Sequence, residues 1–224
     1  MASAKTLIEQ IGQYSTCDVS DALCKLGDPY GGFLAGITMW SPERQAGNTK
    51  IIGPAYTVQF LPSNDTSSPK LKQHYIDSIP SGSVIFISCP NDSINAAFGG
   101  LMSRRALVSG AKGAVIDGRF RDLEEQRELK IPIFARDVGI APPYGEMKAV
   151  SINVPITHSY KERKVIINPG DVIIADINGV AIIPQDLQNK IIPLMQASVA
   201  ADKKVAKDID NGMLFSDSVK LHRG

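Results

Sequence analysis

Residues 83 to 135 read SVIFISCPNDSINAAFGGLMSRRALVSGAKGAVIDGRFRDLEEQRELKIPIFA, and their rhythm settles the architecture. Ser83 to Ser88 is a short, nearly all-apolar run, as expected of a strand covered on both faces. Residues 94 to 109 have helical spacing, Gly110 and Gly113 punctuate, and AVID at 114 to 117 reads as a second strand. A turn at Gly118 and a charged helix from Leu123 to Leu129 follow, then a third short strand from Ile131 to Ala135. Strand, helix, strand, helix, strand predicts an α/β core with parallel strands.

Working outward, Leu7, Ile8 and Ile11 sit at helical spacing within residues 3 to 14. Asp18 or Ser20 can cap a second short helix carrying Val19, Ala22 and Leu23. Residues 28 to 49 are rich in Gly, Pro and Ser and read as irregular, with Trp40 a packing anchor. IIGPAYTVQF at 51 to 60 predicts a strand whose Pro54 belongs at an edge or a bulge. A polar loop and a helix near 70 to 78 come next. Residues 150 to 183 alternate short β-runs with the turn markers Asn168-Pro169-Gly170 and Asn178-Gly179, predicting mixed or antiparallel β-structure. A last helix runs from Pro184 to about Asn211, Gly212 stops it, and a polar tail closes the chain. No linker or internal repeat divides residues 1–224, which read as a single domain.

Composition excludes several function classes. The 224 residues are 43% hydrophobic and carry a net charge of +1, which provides no broad field toward nucleic acid or a membrane surface. Cys17, Cys24 and Cys89 form no CxxC pattern and read as reduced thiols buried as small hydrophobes. The opening MASAKTLIEQIG has charges inside its apolar stretch, unlike a signal peptide or anchor, and no window approaches the ~18 apolar residues of a membrane span. The expected location is cytoplasmic.

The densest chemical signal lies at 99 to 122. Gly99-Gly100 enters a helix, where free N–H groups point at an anion and backbone can approach a ligand closely. Asp117 to Asp122 lies beyond a strand's carboxyl end, where α/β sheets bind ligands. Arg121 offers a planar fork for a carboxylate and Asp122 a hard oxygen ligand, a pairing suited to Mg²⁺ or Mn²⁺ that keep waters and share the substrate. Each feature also has a plain reading: close packing for the glycines, a solvated helix start for the Arg-Asp pair. No GK[ST] or GxGxxG is present.

This run, together with STCDVSDAL at 15 to 23, GPAYTV at 53 to 58 and NPGDVIIADINGVAIIP at 168 to 184, resembles the RraA-like family. That family includes 4-hydroxy-4-methyl-2-oxoglutarate aldolases and the RraA regulators of ribonuclease E. The resemblance implies a layered α/β/β core of the swivelling-domain kind, flanked by N-terminal helices and a C-terminal helix. It implies a divalent-metal-dependent lyase that cleaves a C–C bond of a small 2-oxo dicarboxylic acid, oxaloacetate included, and releases pyruvate. Asp122 corresponds to the metal-binding aspartate, Arg121 to the arginine gripping the pyruvyl unit, and Gly99, Gly100, Leu101 and Met102 to the loop holding the substrate carboxylate. Asp117, at the motif's opening, is expected to be a supporting or structural carboxylate. Homotrimers, or hexamers of two trimers, with sites at subunit boundaries are implied as well.

Two departures stand out. Gly100 replaces an acidic residue that helps order metal-bound water in bacterial aldolases, which leaves proton transfer without a carrier and favours decarboxylation. A glutamate that the family supplies from a neighbouring subunit has its nearest counterpart here in Asp202. Two rivals remain: a Schiff-base aldolase using Lys112 or Lys148, and a non-catalytic regulator binding a ribonuclease or other protein. Some relatives carry a methyltransferase label, but no glycine-rich methyl-donor loop is visible. His74, His158 and His222 show no ligand spacing, and Tyr144 reads as a turn-packing residue.

Overall fold

A computed structural model describes residues 4–223. The amino-terminal helices are α1 (Ala4–Ile11) and α2 (Thr16–Lys25). A capping box starts α2: the Ser15 side chain accepts from Asp18 N–H, and the Asp18 carboxylate accepts from Ser15 N–H at 2.8 Å. The strands and helices that follow are β1 (Thr38–Ser41), β2 (Ile51–Pro62), β3 (Val84–Ser88), β4 (Ala96–Phe98), α3 (Gly100–Val108), β5 (Gly113–Phe120), α4 (Leu123–Glu128) and β6 (Ile133–Val138). Then come β7 (Met147–Ile152), the hairpin β8 (Ile156–Tyr160) and β9 (Arg163–Ile167), the hairpin β10 (Val172–Asp176) and β11 (Gly179–Ile183), and helices α5 (Gln188–Asp210) and α6 (Phe215–Arg223).

The main sheet runs β1-β6-β5-β3-β2-β10-β11, with β4 added to β5 and β7 to β2. Its heart, β2-β3-β5-β6, is parallel as the apolar runs predict, and β1, β7, β10 and β11 join antiparallel. The sheet curls until Phe33 bridges Ala181 of β11. One face packs Ile85, Ile87, Ile116 and Phe120 against the side carrying α3 and α4. The other packs Phe86, Val115 and Phe134 against Ile156, Ile167, Ile173 and Ile182 of the two hairpins. The outer face of β10–β11 buries Ile174 and Ile183 under α1, α2 and α5. These layers match the expected α/β/β arrangement with terminal helices. Among the described residues, no helix is long and apolar enough to cross a membrane.

Several expectations are corrected. Residues 94 to 109 are not one helix: Ala96–Phe98 is a strand beside Arg119 and Phe120, and α3 begins only at Gly100. That pairing carries β5 through Gly118, where a turn was expected. The helix near 70 to 78 is a single 3-10 turn, Tyr75–Ser78. The irregular stretch 28 to 49 contains β1, and the polar tail is the helix α6. Pro54 lies inside a long strand, but β3 pairing starts at Ala55, so its missing N–H faces no ladder on that side. Trp40 is an anchor as predicted: its Nε1 donates to Ala135 O at 3.1 Å and its ring meets Phe120 edge-on. Of the three free cysteines only Cys89 is buried.

Candidate functional site

The site grows from the carboxyl ends of β4 and β5. Arg121 N–H donates to Phe98 O at 2.9 Å, locking the residue that follows β5 beside the Gly99–Gly100 step. Asp122 then turns into the left-handed region, φ 63°, and becomes the N-cap of α4. Asp and Asn tolerate that conformation better than most side chains, whose Cβ clashes there. The turn brings the Asp122 carboxylate back to α3, where Oδ2 accepts the Gly100 N–H at 2.8 Å. Arg121 Nε stands 3.6 Å from the same oxygen. The arginine and aspartate therefore share one corner, as the sequence implies, together with the first turn of α3.

Gly99 matters here for the space it leaves to the two side chains rather than for its φ. A Cβ there would lie 2.7 Å from Asp122 Oδ2 and 3.2 Å from Arg121 Nε. At Gly100 a Cβ would collide with the carboxylate of Glu125. That carboxylate, which also accepts from Arg104 Nε at 2.7 Å, fills the volume an acidic side chain at position 100 would claim. In the sequence Glu125 stands out only as one charge of the helix expected from Leu123 to Leu129. It is the third residue after the Asp122 cap, the position whose side chain reaches back over a helix start, and that spacing was the available signal.

Arg121, Asp122 and Gly99 to Met102 line a cavity of about 580 Å³. The opposite walls come from Phe60, residues 68 to 75, residues 142 to 144 and residues 147 to 150. Lys70, Lys72 and Lys148 add positive charge, which favours an anionic occupant. Tyr144 lines the cavity and is 84% exposed, so it does not pack the turn as expected. Lys148 Nζ donates to the Ser63 and Asp65 carbonyls at 3.1 and 2.5 Å, pinning the loop after β2. Lys112 is not part of this wall.

Asp117 does not reach the cavity. It points to the opposite face of the sheet, is 4% exposed, and bonds His158 Nδ1 at 2.8 Å and Arg136 Nε. Burial alone would raise its pKa, but His158 and Arg136 outweigh that and hold it below the ordinary carboxylate range. Of the two roles expected for Asp117 the structural one holds and the supporting one does not, because β5 continues past residue 117 and alternation sends this side chain away from the site. His158, whose Nε2 lies 3.1 Å from Ala35 O, thus has a structural partner 41 residues away in sequence. The buried Cys89 thiol is pushed up by desolvation first and by the Asp117 charge second. Asp202 lies on α5, paired with Arg223 of α6, and does not approach Asp122 within this chain.

The donor set can be tested against the implied metal. Among the described residues no group of three His, Cys, Asp or Glu side chains could cage an ion. Asp122 nonetheless has one carboxylate oxygen not engaged by Gly100, beside a cavity wide enough for waters and a chelating substrate. That fits Mg²⁺ or Mn²⁺, which rely on one or two carboxylates plus water and substrate, and not a closed zinc-type site.

Residues 16–182 match the model of the RraA-like family, described as Aldolase/RraA. Protein DlpA of Legionella pneumophila is 30% identical over 207 residues, 92% of this chain and 32% of its own length, so the chain spans about a third of that relative. A putative 4-hydroxy-4-methyl-2-oxoglutarate aldolase of Halalkalibacterium halodurans is 33% identical over 79% of this chain and 77% of its own. The crystal structure of an uncharacterized protein from Pseudomonas syringae superposes with a TM-score of 0.81 at 28% identity, covering 96% of this chain and 97% of that one. Streptomyces coelicolor RraAS2, described as an unusual member of the RNase ES inhibitor RraA protein family, shares the fold with a TM-score of 0.75 at 24% identity, over 93% and 98% of the chains.

Proposed function

This chain belongs to the RraA-like, Aldolase/RraA family, and from that membership we propose that it is a divalent-metal-dependent carbon–carbon lyase releasing pyruvate from a small 2-oxo dicarboxylic acid. The observation that carries the reading is the meeting of Arg121, Asp122 and the start of α3 in one corner of a basic-walled cavity. Relatives named as 4-hydroxy-4-methyl-2-oxoglutarate aldolases support the same class.

The free N–H groups at the start of α3, on Leu101 and Met102, hold the substrate carboxylate, since they have no carbonyl one turn back to bond. Held by Asp122, a Mg²⁺ or Mn²⁺ ion supplies Lewis acidity toward the 2-oxo group. When the C3–C4 bond breaks, its electron pair passes into the pyruvyl fragment and negative charge grows on the keto oxygen. The Arg121 guanidinium meets that charge in a partly desolvated pocket. Loss of CO₂ from oxaloacetate needs no base, and C3 of the resulting enolate then takes up a proton from water to give pyruvate. Cleavage of a 4-hydroxy acid also requires a proton to leave the C4 hydroxyl; Glu125, which does not itself line the cavity, stands paired with Arg104 where a side chain at position 100 would lie and is our candidate for that proton.

The cavity rim supports an assembly in which a neighbouring copy closes the site. Leu101 and Tyr144, both lining the cavity, are 76% and 84% exposed, apolar surface of the kind subunit contacts cover.

The test is a coupled pyruvate assay with oxaloacetate and 4-hydroxy-4-methyl-2-oxoglutarate in the presence of Mg²⁺. The reading expects turnover abolished by EDTA. Turnover that survives EDTA, with pyruvate trapped on a lysine by borohydride, would favour the Schiff-base rival. Complete inactivity with metal binding intact would favour the regulator.

A further inference from the structure

The cavity carries a charge that the chain as a whole does not. With 24 Lys and Arg against 23 Asp and Glu the sequence is nearly neutral. Yet four cationic side chains, Arg121, Lys70, Lys72 and Lys148, line the cavity against the single carboxylate of Asp122. Arg121 and Asp122 are committed to the pyruvyl end, and Lys148 Nζ to the Ser63 and Asp65 carbonyls. Lys70 and Lys72 remain, exposed on the opposite wall, and among the described residues neither is in an ion pair. The segment that presents them is fixed at both ends. At one, the Asp65 carboxylate accepts the Ser67 and Ser68 N–H groups, both at 3.2 Å. At the other, His74 stacks on Tyr75 with ring centroids 4.7 Å apart, and its Nδ1 accepts the Ile76 N–H at 3.3 Å. That bond also sets the tautomer of the neutral imidazole, which carries its proton on Nε2 and can there only donate. Between the two lysines, Leu71 packs against the core and holds them to the wall. Two ammonium groups beside a donor imidazole suit an occupant that is anionic and only accepts.

A second carboxylate would bring one negative charge to this wall. A phosphate monoester brings about 1.5 to 2, with three acceptor oxygens, and is the closer match to two free ammonium groups. There is room for it. Granting each heavy atom the ~30 Å³ a water takes in the liquid, a six-carbon acid phosphate of about sixteen heavy atoms fills roughly 480 Å³, within the cavity's volume of about 580 Å³. We propose that the substrate is a 4-hydroxy-2-oxo acid whose far end carries a phosphate, held by Lys70 and Lys72 with His74 beside them. This rests on the pyruvate-lyase reading above and names its substrate class. The C3–C4 bond breaks, the hydroxyl proton passes to a base, C4 becomes the carbonyl of a phosphorylated aldehyde, and C3 takes up a proton to give pyruvate. The phosphate ester stays intact, and no oxidant or reductant takes part.

The test compares 2-dehydro-3-deoxy-6-phosphogluconate with its unphosphorylated parent, which shares the reacting carbons. Pyruvate release is followed on the full chain with Mg²⁺, and oxaloacetate is run alongside. The phosphorylated acid should show the higher kcat/KM by at least about ten-fold, mainly through a lower KM. That preference should shrink as salt rises and in the double variant Lys70→Met, Lys72→Met, whose exposed positions leave the core untouched. Equal kcat/KM for the two acids overturns this inference, as does a preference that the double variant keeps. A higher kcat/KM for 4-hydroxy-4-methyl-2-oxoglutarate than for the phosphorylated acid puts a carboxylate at the lysines and overturns it too. In each of those cases pyruvate from oxaloacetate leaves the lyase reading standing. Pyruvate from none of the acids overturns both.

Discussion

At the scale of single residues, Asp122 is held by backbone geometry as much as by its partners. Asn shares its tolerance of the left-handed region, so Asp122→Asn removes the charge while keeping the turn at φ 63°. We expect the variant to fold normally and to lose on the order of 10²–10³-fold or more in kcat/KM for pyruvate release, by analogy with a lost oxyanion donor. Arg121→Ala should fall by a similar factor. Glu125→Gln separates the two reactions: 4-hydroxy acid cleavage should drop at least about ten-fold, in keeping with a lost general base, while oxaloacetate decarboxylation is spared. Parallel loss of both rates would remove Glu125 from proton transfer. Arg121 and Asp122 were legible in the sequence because they are adjacent and follow an apolar strand. Glu125 was not, because its relation to Gly100 exists only where α4 crosses the start of α3.

At the scale of elements, that crossing is fastened by Gln126, which is fully buried. Its Oε1 accepts from the Ser103 hydroxyl of α3, and its Nε2 donates to Arg121 O at 3.1 Å. One side chain thus ties both helices to the residue that precedes the metal-binding candidate. Gln126→Leu leaves a buried hydroxyl and a carbonyl without their partner, a change worth roughly 1–3 kcal/mol. Urea melts should show that loss, and kcat/KM should fall although no catalytic group has been removed. Unchanged stability would mean the bridge is dispensable. The parallel strands were readable from composition, since doubly covered strands are continuous apolar runs. The three-residue β4 was not readable, because AAF carries no period-2 alternation and its flanks fit a helix. Its strand character comes from β5, which it extends.

For the whole molecule, the layers are joined by the Asp117–Arg136–His158 cluster, which links β5 and β6 to the β8–β9 hairpin. Asp117 has a folded pKa below its ordinary value. Its contribution to stability is therefore full above the unfolded carboxylate value near 4 and is lost as pH falls through the folded value. Melting temperatures from pH 7 downward should decline on the acid side, and Asp117→Asn should flatten that limb. Removing one member of a buried charged cluster should also lower stability at neutral pH by about 3–5 kcal/mol. A variant as stable as wild type would show that the cluster does not join the layers. Sequence reading placed Asp117 near the site because periodicity does not reveal that β5 runs on to Phe120. The proposed chemistry requires the Arg121–Asp122 corner to accommodate the charge of a pyruvate enolate, and proton NMR of the pyruvate methyl group in D₂O with Mg²⁺ probes that without any substrate of assumed identity. Deuterium should enter the methyl group, and its entry should stop with EDTA and in Asp122→Asn. A methyl signal that never exchanges, or that exchanges equally in the variant, would contradict it.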